Sequence, residues 1–475
     1  MSNATTSSPS GDPGSNNAGE PKKAVSSPVF VNGSTMKHVL VMTSAASVGL
    51  WAMFAVDVVD MYFITLLGEQ QLVAAVGFAG ALLYFLLSLG IGLQIALGAL
   101  VARAEGSGDR PSAGRFCSSV LWFNTITSIV LSIIAWLNLP ELLTLLGCSG
   151  ETLDYALRYA RIQLPSIPLL VLGMSLSAGA RAVGDARRSM MATLFGAIVN
   201  AILDPIFIFY FGWGIEGAAW ASVASRFVVL FYAAHVLFRI HRLPVPVTAS
   251  QVFKDTSPIL VIAVPAVLTN LATPVGNSIV LRLMSEFGDS AVAAMAIMSR
   301  LAPFLFASVF AVSGAVGPIV GQNAGAKRYD RVRSALRDAS LFVFAYVAVV
   351  WLLLWLASDF VVATFTSTEL AAELLSFYIA FLVGVFALNG LLFVSNASFN
   401  NLGRAYLATL FNWAKVLLGI APAAYFGAQA YGARGVMVGE AVGMAIFGVL
   451  GLLTALTLAR KLEARHEVRA DEESA

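Results

Sequence analysis

Two carboxylates three residues apart, Asp57 and Asp60, lie inside an apolar stretch of this chain and so share one helix face. A third, Asp204, stands between Ile202-Leu203 and Ile206-Phe207, with Asn200 one turn earlier and Pro205 next to it. Ser222, in the following apolar stretch, falls at a similar depth. Carboxylates in hydrocarbon are costly and by default functional. A buried carboxylate suits the carrying of a proton. A gathering of oxygens suits a hard cation such as Na⁺. Asp60, Asn200, Asp204 and Ser222 can supply either, and their types do not choose between the two. Asp60 is about two turns from the loop at Gly68, where a water-facing helix end is the plainer reading. Asp204, with apolar neighbours on both sides, fits that reading poorly. Glu440 is a further acid, set in Gly435-x-x-x-Gly439-x-x-x-Gly443, a pattern that lets another helix approach closely. It serves either a cavity or a packing interface. No P-loop, His-Glu-x-x-His or Gly-x-Ser-x-Gly motif is present, and the four histidines (His38, His235, His241, His466) lie near one membrane side or in tails.

The elements that position these residues are membrane spans. The chain is 58% hydrophobic and 12% charged, against about 25% charged in soluble domains. Apolar stretches long enough for about 30 Å of hydrocarbon lie near 39–66, 71–101, 117–139, 154–180, 189–211, 215–239, 257–285, 291–321, 337–357, 371–399, 405–427 and 433–459. Arg and Lys gather in alternate loops: Arg103, Arg110 and Arg115, then Arg181, Arg187 and Arg188, then Lys327, Arg328, Arg331 and Arg333. The intervening loops hold Glu69, Glu141, Glu151, Glu286, Asp289, Asp359 and Glu369. The positive-inside rule then puts both termini in the cytoplasm and the protein in the inner membrane. The net charge of +2 carries no message about nucleic acid. Cys117 and Cys148 fall on opposite membrane sides and are not expected to pair, and no Cys/His cluster suggests a metal.

The sequence also repeats itself. Val73-Ala74-Ala75 returns as Val292-Ala293-Ala294, Gly106 as Gly325, Ala192-Thr-Leu-Phe195 as Ala408-Thr-Leu-Phe411, and Gly217 as Gly435. Six spans per copy is an even number, so both copies share one orientation. A parallel repeat about an axis along the membrane normal points to a transporter whose halves rock around a shared cavity. The expected fold is therefore an all-α integral membrane protein of twelve helices in two six-helix lobes related by a pseudo-two-fold axis. Its expected parts are a cytoplasmic tail (1–36), a first lobe (37–242), a linker (243–256), a second lobe (257–460) and a charged tail (461–475). The acids of the first half lack counterparts in the second, where Asn277, Val280 and Ile420 stand at the positions of Asp57, Asp60 and Asp204. Glu440 falls at the repeat position of Ser222.

Over roughly 37–460 the chain resembles the multidrug and toxic compound extrusion (MATE) transporters. The resemblance rests on Asp60-Met-Tyr-Phe-Ile-Thr-Leu-Leu-Gly68, Leu72-Val-Ala-Ala75, Gly321-Gln-Asn-Ala-Gly-Ala-Lys-Arg328 and Asn200-Ala-Ile-Leu-Asp204-Pro205, followed by Gly214-Ile-Glu-Gly217-Ala-Ala219. It implies a V-shaped central cavity and alternating access driven by a cation gradient. It also implies coupling in the first lobe at Asp60, Asn200, Asp204 and Ser222, as in the DinF-like (DNA-damage-inducible protein F) branch, with Asp57 one turn deeper as a secondary partner. Asn277, Glu440 and Arg300 are expected at the substrate cavity. The family often carries a proline early in span one; Ala45 stands there instead, while its repeat partner Pro265 is present.

The function expected is export of amphipathic, often cationic, organic compounds by a monomeric antiporter in exchange for H⁺ or Na⁺, with no other cofactor. A flippase for lipid-linked saccharides is the nearest rival. It should line its cavity with several Arg or Lys, whereas embedded basic residues are few here, Arg300 being the clearest. A membrane-embedded enzyme would need a nucleophile, base or metal constellation, and none is found.

Overall fold

The computed structural model describes residues 28–366 and 368–474. Residues 1–27 of the tail expected over 1–36 lie outside the described residues, as do Ser367 and Ala475. Among the described residues the regular structure is helical throughout. Ten segments are long and apolar enough to cross a membrane, and a bent pair is an eleventh candidate span. The last of the ten, Ala405–Val468, contains a break at Tyr431 and Gly432, where Gly432 takes φ 62° and no residue with a side chain fits comfortably. That break makes it two spans, which gives twelve candidate spans among the described residues.

Spans one to six are Thr35–Thr65, Gln71–Gly106, Arg110–Leu137, Gly150–Ala182, Ala186–Tyr210 and Gly214–Ile240. Span seven is Ala249–Ser285 and span eight the pair Asp289–Leu305 and Ala307–Gly325, bent by 47°. Spans nine and ten are Tyr329–Leu356 and Glu369–Asn401, and spans eleven and twelve share Ala405–Val468. Span one is a continuous helix, as the absence of a proline near Ala45 allows. In span eight the bend follows Pro303, and the indole N–H of Trp51 on span one donates to the Phe304 carbonyl beside the break at 3.1 Å.

The repeat extends to the irregularities. Short helices follow spans three and nine, at Leu139–Leu145 and Ser358–Phe365. Tight 3₁₀ turns interrupt spans four and ten, at Leu164–Ser166 and Val383–Val385. Wide π turns sit in spans five and eleven, at Ile206–Tyr210 and Lys415–Ile420. An ion pair ties span four to span six, Arg158–Glu216 at 2.7 Å, and another ties span ten to span twelve, Arg434–Glu373 at 2.8 Å. Arg158 and Arg434 thus have carboxylate partners at the helix ends. Cys117 and Cys148 are both free and buried.

The apolar packing shows how the lobes meet. In the terminal half of the molecule, where the described residues begin at Pro28, buried clusters mix the lobes: Val39 and Met42 pack with Val316 and Ile319, and Leu97 and Val101 with Ile259 and Ala263. In the other half each lobe has its own cluster, one running from Ile64 through Leu164 to Ala218, the other from Val280 through Leu374 to Met437. The lobes are thus joined at the terminal end and separate toward the far end. Backbone contact closes the joined end. A Cβ on Gly106 would stand 1.9 Å from the Gln322 carbonyl oxygen, and one on Gly325 2.1 Å from the Arg103 carbonyl oxygen.

Residues 28–34 add a clasp at this end. Phe30 is 2% exposed, and its N–H donates to Gln322 Oε1 at 2.9 Å. Gln322 Nε2 in turn donates to the Ala182 carbonyl of the first lobe at 2.8 Å. The Arg331 guanidinium donates to the carbonyls of Gly33 and Phe30, each at 2.9 Å, and Asn32 at 3.2 Å, and to Asn323 Oδ1 at 3.0 Å. Hydrogen bonds to charged groups contribute roughly 1.5–3 kcal/mol. Arg331→Ala is therefore expected to release the segment, read as at least tenfold faster amide exchange of residues 29–33; unchanged protection would show that the clasp holds without it.

Candidate functional site

Three of the sequence-selected residues meet inside the first lobe. Asp204 lies at the C-terminal end of a regular helix, Ala186–Pro205, and is 0% exposed. Pro205 has no N–H to give, and the chain passes into the π turn Ile206–Tyr210 directly after it. One turn earlier, Asn200 is also buried, and its Nδ2 donates to Asp204 Oδ2 at 3.1 Å. Asp60, half-buried on span one, brings its carboxyl within hydrogen-bonding reach of the Asp204 carboxyl. Two ionised carboxylates are acceptors only. Accordingly Oδ1 of Asp60 and Oδ1 of Asp204 are both buried without a donor. Two buried acceptors without donors, on carboxyls within reach of each other, have the chemistry to take a positive particle, whether a shared proton or a small cation.

The other expected members stand apart from this centre. Asp57 is exposed, one turn from Asp60 and within its electrostatic reach. Ser222 is half-buried, and its hydroxyl makes no hydrogen bond to Asp60, Asn200 or Asp204 among the described residues; its carbonyl accepts from Ser225 Oγ at 2.8 Å. Asn277 and Arg300 are exposed on spans seven and eight, and Arg300 has no ion-pair partner within 4.0 Å among the described residues. Glu440 is half-buried in the second lobe.

Sequence reasoning passed over the surroundings. The Tyr159 ring on span four lies within electrostatic reach of Asp60, Asp204 and Arg226. Gln163 Nε2 donates to its hydroxyl at 3.2 Å. Arg226, in the middle of span six, donates through Nη1 to the Gln163 carbonyl at 3.1 Å and to the Ser166 hydroxyl. Gln163 precedes the 3₁₀ turn of span four and Ser166 closes it, and the turn frees carbonyls such as that of Gln163 from the helical pattern. Arg226 thus places a positive charge within electrostatic reach of Tyr159, between spans four and six. In the second lobe Lys415 is 6% exposed and donates to Asn389 Oδ1 at 3.3 Å. These two residues correct the expectation that Arg300 is the clearest embedded cation. The rule applied to the acids, that a charge in an apolar span is functional until shown otherwise, would have found both.

A polytopic all-α protein with two repeated lobes, joined at one end and separate at the other, has the architecture of a membrane transporter. The chain belongs to the MatE family, whose model matches residues 45–206 and 265–426, one match in each lobe. Among its relatives is the FAD transporter of Shewanella oneidensis, 28% identical over 408 residues, or 85% of this chain and 90% of that one. The multidrug export protein MepA of Staphylococcus aureus is 25% identical over 359 residues, 74% of this chain and 78% of that one. A crystal structure of the Vibrio cholerae MATE transporter VcmN in the bent form aligns with a TM-score of 0.85 at 26% identity, covering 90% of this chain and 98% of that one. An outward-facing multidrug resistance MATE transporter aligns with a TM-score of 0.86 at 21% identity, covering 92% of this chain and 99% of that one, and shares its fold. The protein is a multi-pass membrane transporter and not an enzyme.

Proposed function

We propose that this transporter is a monomeric antiporter of the inner membrane, with both termini cytoplasmic, that exports amphipathic organic compounds, cationic ones among them, in exchange for H⁺ or Na⁺. The observation that carries the coupling is the pair of orphan oxygens on Asp60 and Asp204, buried in the first lobe and braced by Asn200. A proton or Na⁺ entering there would satisfy both at once. Ser222, on the neighbouring span six, is the hydroxyl available to complete a cation shell after a rotamer change, as in the DinF-like branch. The ion acts by binding one access state better than the other, since a ligand shifts an equilibrium only by its differential affinity. Asn277, Arg300 and Glu440 belong to the substrate side of this reading.

The relatives favour two substrate classes. MepA is a multidrug export protein, and the FAD transporter matches over more of the chain. A flavin dinucleotide is therefore a second substrate to assay beside cationic dyes. Purified protein in liposomes, loaded with each compound and given an imposed pH or Na⁺ gradient, tests both points; export that ignores both gradients would sink the antiport reading.

Asp57 is expected to matter less than Asp60. Asp60→Asn should remove gradient-driven export, whereas Asp57→Asn, at an exposed position, should reduce it by less than about tenfold, the scale of a screened charge interaction near 1 kcal/mol. Equal and complete loss in both variants would reverse the ranking.

A further inference from the structure

Span eight is broken where its repeat partner is not. The spacing that carries Gly106 to Gly325 also carries Tyr84 to Pro303 and Phe85 to Phe304. Span two runs through that stretch as one helix, Gln71–Gly106, while span eight divides into Asp289–Leu305 and Ala307–Gly325, bent by 47°. Pro303 has no N–H for the Ser299 carbonyl, and its ring crowds that carbonyl. Just beyond it the hydrogen-bond pattern slips. The Val309 N–H donates to the Phe306 carbonyl at 2.8 Å, three residues back, so the Phe304 and Leu305 carbonyls stand at a helix end.

Side chains take both carbonyls, and they come from different lobes. The Tyr346 hydroxyl on span nine donates to Leu305 at 2.8 Å, and the Trp51 indole N–H on span one donates to Phe304 at 3.1 Å. Phe306, between the two halves, is 0% exposed and stacks on Phe386 with ring centroids 3.9 Å apart. Phe386 directly follows the 3₁₀ turn of span ten. Tyr346 and Phe306 therefore pin the break to the second lobe, and Trp51 is a hold on it from the first.

Trp51 stands on the helix that carries Asp60. That helix, Thr35–Thr65, is continuous, and Asp60 lies about 13 Å along it from Trp51 at 1.5 Å per residue. On span eight, Arg300 is exposed one turn before Phe304, on the outer side of the break. We propose that Trp51 is a positioning residue that ties the angle of span eight to the state of the carboxyl pair in the first lobe. It acts through the Phe304 carbonyl: a shift of span one at Asp60 is passed to the half of span eight that carries Arg300. This rests on the reading of Asp60 and Asp204 as the coupling pair. Tyr346 holds the same break from within the second lobe and sets the bend without sensing the ion.

The test uses the full chain in nanodiscs, carrying Cys117→Ala and Cys148→Ala, with spin labels at Asp289 and Glu369. These exposed residues open spans eight and ten at the far end, so the distance between them reads the bend. It is measured in NaCl against choline chloride at matched ionic strength, and across pH. In this parent the distance distribution should shift with Na⁺ or with lowered pH, and Asp204→Asn should remove the shift. Trp51→Phe keeps an aromatic ring and deletes the N–H, and the loss of one neutral hydrogen bond should cut the ion-driven change in population ratio by roughly 2–10-fold. Tyr346→Phe should broaden the distribution and keep the ion-driven shift. A parent that ignores both ions overturns the coupling reading and the proposal with it. A Trp51→Phe protein with the parent's full response overturns the proposal alone. So does loss of the response in Tyr346→Phe as complete as in Trp51→Phe, which would make the response a matter of the stiffness of the bend. Failure of Trp51→Phe to fold, where Tyr346→Phe folds, would make Trp51 a packing residue and overturn the proposal likewise.

Discussion

Asp204→Asn is expected to abolish gradient-driven export, by about 100-fold or more, and to leave the protein folded and inserted. Asparagine has the shape of aspartate, so the packing around a fully buried side chain is kept. Its amide can donate to Asp60 and still accept from Asn200, which now donates to Asp204 Oδ2 at 3.1 Å. The orphan acceptor disappears, and with it the reason for a proton or Na⁺ to enter. A coupling free energy of typically 1–3 kcal/mol links an effector to a conformational change, and this substitution removes the effector's share of it. Drug or flavin export from liposomes, with and without a gradient, measures the loss. Full resistance in cells making the variant at normal levels would count decisively against the site.

The second large effect is expected at the joined end. Gly106→Ala or Gly325→Ala puts a methyl group about 2 Å from a carbonyl oxygen on the opposing helix, well inside contact distance. Both contacts are to backbone, which cannot rotate away as a side chain can. Overpacking of this kind costs about 1–3 kcal/mol, or roughly 5–150-fold in the balance between states closed and open at this end. Helix propensity works the other way, since Ala is favoured over Gly by about 1 kcal/mol. Gly98→Ala is the control, because a Cβ there meets nothing within 4 Å. Spin-label distances between the terminal-side ends of spans two and eight should lengthen in the two variants and stay put in the control. Wild-type distances and export in all three would show that the glycines do not govern closure.

The spans were legible because hydrocarbon thickness imposes a length that apolar runs display directly. Their interruptions were less so. The π turns at Ile206–Tyr210 and Lys415–Ile420 and the 3₁₀ turn at Val383–Val385 follow no single residue type, because packing against neighbouring helices decides them. Asp60, Asn200 and Asp204 were legible as a set because two share a helix face and the third matches them in depth. The shell of Tyr159, Gln163 and Arg226 was not, since it depends on span four turning its 3₁₀ segment toward span six. Ser222 shows the limit of depth as a guide: equal depth did not bring its hydroxyl into contact with the pair.

Gln322 holds Phe30 with its oxygen and Ala182 with its nitrogen, so a single side chain of the second lobe grips both the entry segment and the first lobe. These bonds exist only while that end is shut. If the lobes rock as proposed, opening this end breaks both bonds and closing it remakes them, so this side chain favours the shut posture. A change at Phe30, whose side chain is buried there, would alter that posture without touching the carboxyl pair.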